Sequence, residues 1–110
     1  MKPRIETSAR RFEAGGRPFT LHRDAHGVMH AAAADDLALA TAYGFAHAHD
    51  RALQMLLVRL IGRGRLCELL DDSPSSLVVD LFMRRNLFAA SSDEEAAGLG
   101  GRARELAEAY

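Results

Sequence analysis

Five histidines are candidate metal ligands, because imidazole is the side chain that transition metals bind most often in proteins. They are His22, His26, His30, His47 and His49. The first three are spaced by four, as on one helix face, but Gly27 and the turn around it break that geometry. His47 and His49 lie two apart on a predicted helix, which turns them about 200° from each other. We therefore predict partly exposed polar histidines and no metal site.

The basic stretch Gly62-Arg63-Gly64-Arg65 is glycine-rich, as loops that cradle phosphate are. It lacks the Lys-Ser/Thr pair and the preceding strand of a phosphate loop, and it lacks the spacing of a dinucleotide-binding turn. Termination of a helix by the two glycines is therefore the favoured interpretation.

Asp50-Arg51 lies in the middle of a predicted helix among small apolar residues. The pair is either a catalytic acid with its partner or a charge pair that docks the helix against a neighbouring element, and we favour docking. Cys67 is the only cysteine, so the chain has no internal disulfide, and a small apolar residue in a helix is expected there. No Ser-His-Asp or Cys-His set can be assigned. We predict no catalytic, cofactor-binding or metal-ligating residue in this chain.

The elements that would position these residues begin with an extended lead-in over residues 1–18. Residues 19–32 are predicted to form a β-hairpin, because Phe19 and the strand formers after it alternate with polar residues. At its turn, Asp24 can accept backbone N–H groups and Gly27 can take positive φ.

Residues 35–110 are predicted to be mainly helical, so the expected fold class is α+β, a hairpin followed by helices. The expected segments are a long helix over 35–61, a short helical turn over 66–70, a loop over 71–76, a helix over 77–89 and a last helix that begins with a capping box at Ser91 or Ser92. Asp35 or Asp36 can cap the long helix. Its edge of small residues, Gly44, Ala48 and Ala52, predicts close approach of a partner element.

Composition limits the size and the partners of this chain. With 110 residues it is one domain at most. Alanine supplies 20 positions and aromatics only 6%, so its core is thin, which favours a piece of something larger. The formal net charge of −1 favours neither nucleic acid nor an anionic membrane. The absence of an apolar region near the N-terminus predicts a cytoplasmic location, and no stretch is long enough to cross a membrane.

Three segments resemble a known family when they are taken in order. They are residues 21–30 (LHRDAHGVMH), 42–55 (AYGFAHAHDRALQM) and 59–70 (RLIGRGRLCELL). The first is similar to the pattern x-Arg-Asp-x-x-Gly-Val-Pro-His, the second to Gly-Tyr-x-x-Ala-Gln-Asp-Arg-Leu-x-Gln-Met, and the third to Arg…Gly-Arg-Leu-x-Glu-Leu. These patterns are typical of the start of the α chain in the penicillin acylase family of N-terminal nucleophile hydrolases. Met29 departs from the usual Pro and His49 from the usual Gln.

The resemblance implies a segment of the small subunit of an amidohydrolase. Its hairpin and helices would contribute to an αββα sandwich completed by a partner β chain. In this family the precursor cleaves itself, and the nucleophile is the new N-terminal Ser of that β chain, with its own α-amino group as base. A structural calcium occurs in the family, but its ligands would not lie in this segment. The substrate class would be a small acylated amide, and the chain alone would be inactive.

The resemblance, together with the absence of a visible signal peptide, suggests a biosynthetic acylase of the cytoplasm. Whether the acyl group goes to water or to another amine is left open by the sequence. An alternative is a non-catalytic helical interaction module that keeps the family patterns only as scaffold. A nucleic-acid binder is disfavoured by the balanced charge.

Overall fold

The computed structural model describes residues 8–110, which form three strands followed by five helices. They are β1 (Arg10–Ala14), β2 (Arg17–Arg23), β3 (Met29–Ala33), α1 (Asp36–Gly62), α2 (Leu66–Leu69), α3 (Pro74–Arg85), α4 (Phe88–Gly98) and α5 (Gly101–Ala109). The strands form one antiparallel sheet in the order β1-β2-β3, so the fold class is α+β, as the sequence predicted. The described residues group into two compact units, one of residues up to Asp50 with Gly100–Tyr110, the other of Arg51–Leu99.

Strand β1 was not predicted, because residues 1–18 were interpreted as a lead-in. Residues 1–7 lie outside the described residues, but Arg10–Ala14 pair with β2 along their whole length. Gly15 and Gly16 connect the two strands with φ of 56° and 72°, as a two-residue hairpin turn of type I′ requires. The two glycines therefore form a second hairpin turn rather than the end of a flexible segment.

The predicted hairpin over residues 19–32 is confirmed as β2 and β3, and its turn is built as expected. The Asp24 carboxylate accepts the backbone N–H groups of His26 and Val28 at 2.9 and 3.0 Å. Gly27 has φ of 82° and donates its N–H to the Asp24 carbonyl at 3.0 Å. These bonds fix the register in which Leu21 lies opposite Ala31.

The core of the first unit lies between the sheet and the first half of α1. Phe19 and Leu21 project from one face of β2 and pack against Ala42 and Ala46 of the helix. Phe12, Phe19 and Phe45 surround this contact, with ring centroids 5.0 to 5.9 Å apart. Because alanine faces the sheet, the helix can approach closely, and the three aromatic rings pack around the contact.

The long helix begins where it was expected, because the Asp35 carboxylate accepts the N–H of Ala38 at 2.8 Å. Arg51 interrupts the helix, with φ of −134° and ψ of 21°. At the other end, the N–H of Arg65 bonds the carbonyl of Leu60 at 3.0 Å and the N–H of Gly64 bonds that of Ile61 at 2.9 Å. With φ of 61° at Gly64, this is a Schellman stop, so termination by the glycines is confirmed.

The close approach predicted at Gly44 exists, but it comes from this chain's own α5. A Cβ on Gly44 would overlap the Tyr110 carbonyl oxygen and lie 2.9 Å from its carbonyl carbon. Beside it, the Thr41 hydroxyl donates to the carbonyl of Ala109 at 2.8 Å. Ala48 is exposed in this structure, so the small-residue edge is covered only at its start.

Two helix starts differ from the sequence prediction. Helix α3 begins at Pro74 rather than at residue 77, because Ser73 caps it by accepting the N–H of Ser76 at 3.3 Å. Proline is favoured at a first helical position, where its missing N–H has no partner to lose. Helix α4 begins at Phe88, so the capping box predicted at Ser91 or Ser92 is wrong. Ser91 lies inside the helix, where its hydroxyl donates to Glu95 at 3.2 Å.

Candidate functional site at the motif segments

The first two motif segments are joined by an ion pair, in addition to the packing of Leu21 against Ala42 and Ala46. Arg23 is on the same face of β2 as the buried Leu21, so its guanidinium reaches helix α1 and pairs with Asp50. The other end of that guanidinium donates to the carbonyl of Gly27 at 2.9 Å. Docking of the helix through Asp50 is therefore what the contacts support, but Arg23 is its partner. Arg51 instead donates to Gln54 at 3.3 Å.

The carboxylates of Asp24 and Asp50 are both held in the ionised form. The hydrogen bond with His30 at 2.9 Å, followed by the N–H of Val28, lowers the pKa of Asp24 below its ordinary value. The bond from Arg23, followed by that from His49 at 3.0 Å, lowers the pKa of Asp50 in the same way. A carboxylate whose pKa is lowered and whose oxygens are already bonded is a weak base and a poor proton donor. Asp24 and Asp50 are therefore suited to positioning other groups and not to general acid–base catalysis.

The histidines have separate structural partners. His22 and His30 lie opposite each other on β2 and β3, and their rings stack with centroids 4.7 Å apart. The sequence interpretation missed this pair because it tested only helical spacing, whereas equal distance from the turn at residue 26 aligns them. His47 bonds the Tyr110 hydroxyl at 2.5 Å, and His49 bonds Asp50. Among residues 8–110 no three metal-ligating side chains converge.

The third motif segment holds helix α2 in place. Arg65 and Glu68 form two parallel hydrogen bonds of 2.8 and 2.7 Å, a bidentate pair. Arg84 donates to the carbonyl of Gly64 at 2.8 Å. Gly64 and Arg65, the two residues before Leu66, therefore both contribute to the connection between α1 and α2.

Asp80 is a buried residue that sequence reasoning missed. Its carboxylate, in a residue only 5% exposed, accepts the N–H groups of Leu66 and Cys67 at 2.9 Å each. Burial alone would raise the pKa of Asp80, but these two N–H groups, together with the Cys67 side chain and the charge of Arg84, outweigh it and the pKa is lowered. Its position on α3, 14 residues after the N–H it binds, gave no local signal. Cys67 lies in α2 as expected, with its thiol pKa raised by partial burial and then by Asp80.

Two cavities lie within the separate units. The first, of about 280 Å³, has Phe12, Phe45 and Met29 among its apolar walls, with Arg10 and His49 also lining it. The second, of about 700 Å³, lies in the other unit and is lined by Arg59, Arg63, Ser91, Ser92 and other residues. The hydroxyls of Ser91 and Ser92 donate to Glu95 and to the Ala89 carbonyl, not to a base that could activate them.

No described side chains thus form a nucleophile and base, and the motif residues hold the fold together. A family model described as penicillin amidase matches residues 18–110. A curated relative, the penicillin acylase 2 proenzyme of a Pseudomonas species, is 31% identical over 93 residues. That match covers 84% of this chain and 12% of the relative.

A solved structure gives the same result for the fold. The thermostable penicillin G acylase from Alcaligenes faecalis is similar with a TM-score of 0.68 and 28% identity. The likeness covers 82% of this chain and 47% of the solved one. The chain therefore spans about half of that solved chain and about an eighth of the curated proenzyme.

Proposed function

This chain belongs to the penicillin amidase family, and from that membership we propose that it is the N-terminal part of the small α subunit of an amide-cleaving acylase. The observation that carries the proposal is the match of one family model to 93 of the 110 residues, from 18 to 110. The structural likeness to a penicillin G acylase supports it independently.

In the proposed enzyme the nucleophile is supplied by a partner β chain that begins with Ser. Its hydroxyl attacks the amide carbonyl while its own α-amino group takes the proton, and the amine leaves with that proton. Water then attacks the acyl-serine ester and releases the acid. The positioning contacts around Asp50 and Asp80, with no nucleophile and base among the described residues, fit a chain that supports this chemistry without performing it.

The exposed apolar side chains of the second unit support a role within a larger enzyme. Leu56, Val78, Phe82 and Phe88 are each 48 to 67% exposed, and Leu66 is the one hydrophobic residue buried between Arg51 and Leu99. Exposure on this scale marks surfaces that another protein surface covers. A cytoplasmic location and the absence of a cofactor stay predictions. Among the described residues, no helix has the length and apolar character needed to span a bilayer.

Covalent trapping tests the proposal directly. The full-length protein is treated with phenylmethylsulfonyl fluoride, which modifies activated serines, and the intact masses of its chains are measured. We expect one sulfonyl adduct at the first residue of the partner chain, loss of amide turnover, and no adduct on this segment. The Cys67→Ser variant, treated in parallel, should keep full turnover and the same adduct. An adduct on Ser91 or Ser92, or turnover unaffected by the reagent, would show that the nucleophile has been misplaced.

A further inference from the structure

The second half of α1 is apolar on every side. Of the nine residues 53–61, seven are apolar: Leu53, Met55, Leu56, Leu57, Val58, Leu60 and Ile61. Successive helical residues are turned by about 100°, so these seven surround the helix axis. We call residues 53–61 the apolar segment. A helix that is apolar all round is normally buried in the interior of a protein, whereas a surface helix keeps one polar face.

In this chain the apolar segment is largely uncovered. Leu53 is 80% exposed, Val58 is 61% and Leu56 is 54%. Leu56 and Val58 are two residues apart, so they project on opposite sides of the helix, and both sides lack cover. Contact with one flat surface would leave one of them in water. The segment therefore requires protein on at least two sides.

A single charge inside the segment indicates what the cover contains. Arg59 makes no ion pair with a described residue, although its neighbour Arg63 pairs with Asp93 at 3.5 Å. Arg59 and Arg63 both line the cavity of about 700 Å³ described above, together with Glu95, whose carboxylate accepts the Ser91 hydroxyl at 3.2 Å. A guanidinium enclosed by apolar protein is strongly destabilised unless a carboxylate or another acceptor faces it. Two arginines thus share this cavity with one carboxylate, Glu95, so the covering surface should be apolar and should add a further carboxylate there.

We propose that the apolar segment is enclosed on opposite sides by the remainder of the acylase, with a carboxylate of that remainder paired to Arg59. The inference rests on the proposed function, since it takes the rest of the enzyme as the cover. In the curated relative, the matched region is only 12% of the proenzyme, so most of a family member's chain is available to supply that cover. A second copy of this chain fits poorly, because a two-fold contact centred here would bring four arginines, Arg59 and Arg63 of each copy, together.

Thiol protection in the full-length protein tests the enclosure. In a Cys67→Ser background, Leu56→Cys and Val58→Cys each place one thiol on opposite sides of the segment, and Ala25→Cys places one at the exposed hairpin turn. Maleimide labelling is timed in the native protein and in urea. We expect both segment thiols to label at least about 100-fold more slowly in the native protein than in urea. Labelling of either one within about tenfold of the unfolded rate overturns the enclosure. Should these variants not accumulate, slow amide hydrogen exchange over residues 53–61 of the unmodified protein is the equivalent readout.

Two further variants identify the cover. A photo-reactive benzoylphenylalanine at Leu53 should cross-link to the remainder of the enzyme, and a cross-link to a second copy of residues 1–110, or none, overturns the assignment. Arg59→Glu should lower the yield of assembled enzyme at least about tenfold, while Gln54→Glu, the same charge at a polar position, should not. Equal yields from the two variants would refute the pairing of Arg59 with a carboxylate of the covering surface. Slow labelling of the segment thiols in a protein without amide turnover would support the enclosure and refute the proposed function. Amide turnover together with fast labelling would support the proposed function and refute the enclosure.

Discussion

Gly44 is the position at which one added methyl group should do most damage. Helix α5 ends against α1 at this point, and a Cβ on Gly44 would overlap the Tyr110 carbonyl oxygen. The obstacle is backbone, which cannot rotate away as a flexible side chain can. Gly44→Ala must therefore push the end of α5 off α1, and the hydrogen bond from Thr41 to the carbonyl of Ala109 would be lost with it.

The expected free-energy change is the sum of three contributions. Overpacking typically costs about 1–3 kcal/mol, and loss of the Thr41 hydrogen bond costs about 1 kcal/mol. Alanine in a helix is more favourable than glycine by about 1 kcal/mol, which offsets part of this loss. The net destabilisation of the α5 contact is then about 1–3 kcal/mol.

Amide hydrogen exchange measures this contact locally, without requiring a cooperative unfolding transition of the chain. A loss of about 1–3 kcal/mol corresponds to exchange faster by roughly 5- to 150-fold over residues 101–110, if opening of the contact limits exchange. Gly62→Ala is the matched control, because Gly62 ends the same helix and nothing lies within 4 Å of an added Cβ. That variant should exchange at the original rate or more slowly. If Gly44→Ala behaves like Gly62→Ala, the α5 contact does not exist as described.

Three other outcomes follow from the same contacts. Asp80→Asn should make the Cys67 thiol react several-fold faster with iodoacetamide at pH 7.5, because partial burial and then the Asp80 carboxylate raise the pKa of that thiol. As a control, Asp93→Asn changes an exposed carboxylate and should leave the rate unchanged. Equal rates for the two variants would refute the Asp80 contact. In an NMR titration, the amide shifts of His26 and Val28 should follow Asp24 with a midpoint below 3.8, its ordinary pKa, and His30→Ala should raise that midpoint. Because the folded pKa is lowered, the turn's contribution to stability is complete above the ordinary value of 3.8 and is lost as pH falls through the folded value. A midpoint at or above 3.8 would contradict the bond to His30. Residues 1–110 expressed alone should show no cooperative, monomeric thermal transition by circular dichroism, because their buried core consists of few residues; a sharp transition would count against the subunit role.

The sequence predicted those features whose signals are local. Asp24 and Gly27 are the first and fourth residues of one turn, and Gly64 lies two residues past the end of helix α1, so turn and stop chemistry predicted both. Strand β1 escaped prediction because Phe12 is its one large apolar residue among charged neighbours. Pairing with β2 and packing against Phe45 stabilise it, and those contacts are visible only in the fold.

In the candidate site, too, the sequence predicted what has a local signal and missed the contacts that tertiary packing sets. Asp50 was correctly favoured as a docking residue, but its partner Arg23 is 27 residues away, and no spacing rule connects them. Asp80 was missed for the same reason, since a carboxylate on one helix that caps another has no pattern in a single sequence. The close contact at Gly44 was predicted to come from a partner element, whereas the end of this chain's own α5 makes it. The pairing of α1 with α5 is likewise set by tertiary packing and leaves no local signal.

Amide turnover by separated and combined chains tests the central claim most directly. Residues 1–110, the remainder of the protein, and the two co-expressed are each assayed for release of amine from a panel of acylated amines. The subunit account predicts no release by residues 1–110 alone and release by the co-expressed pair, at a rate that the remainder alone does not reach. Turnover by residues 1–110 alone, or no turnover by the pair on any acylated amine, would contradict it.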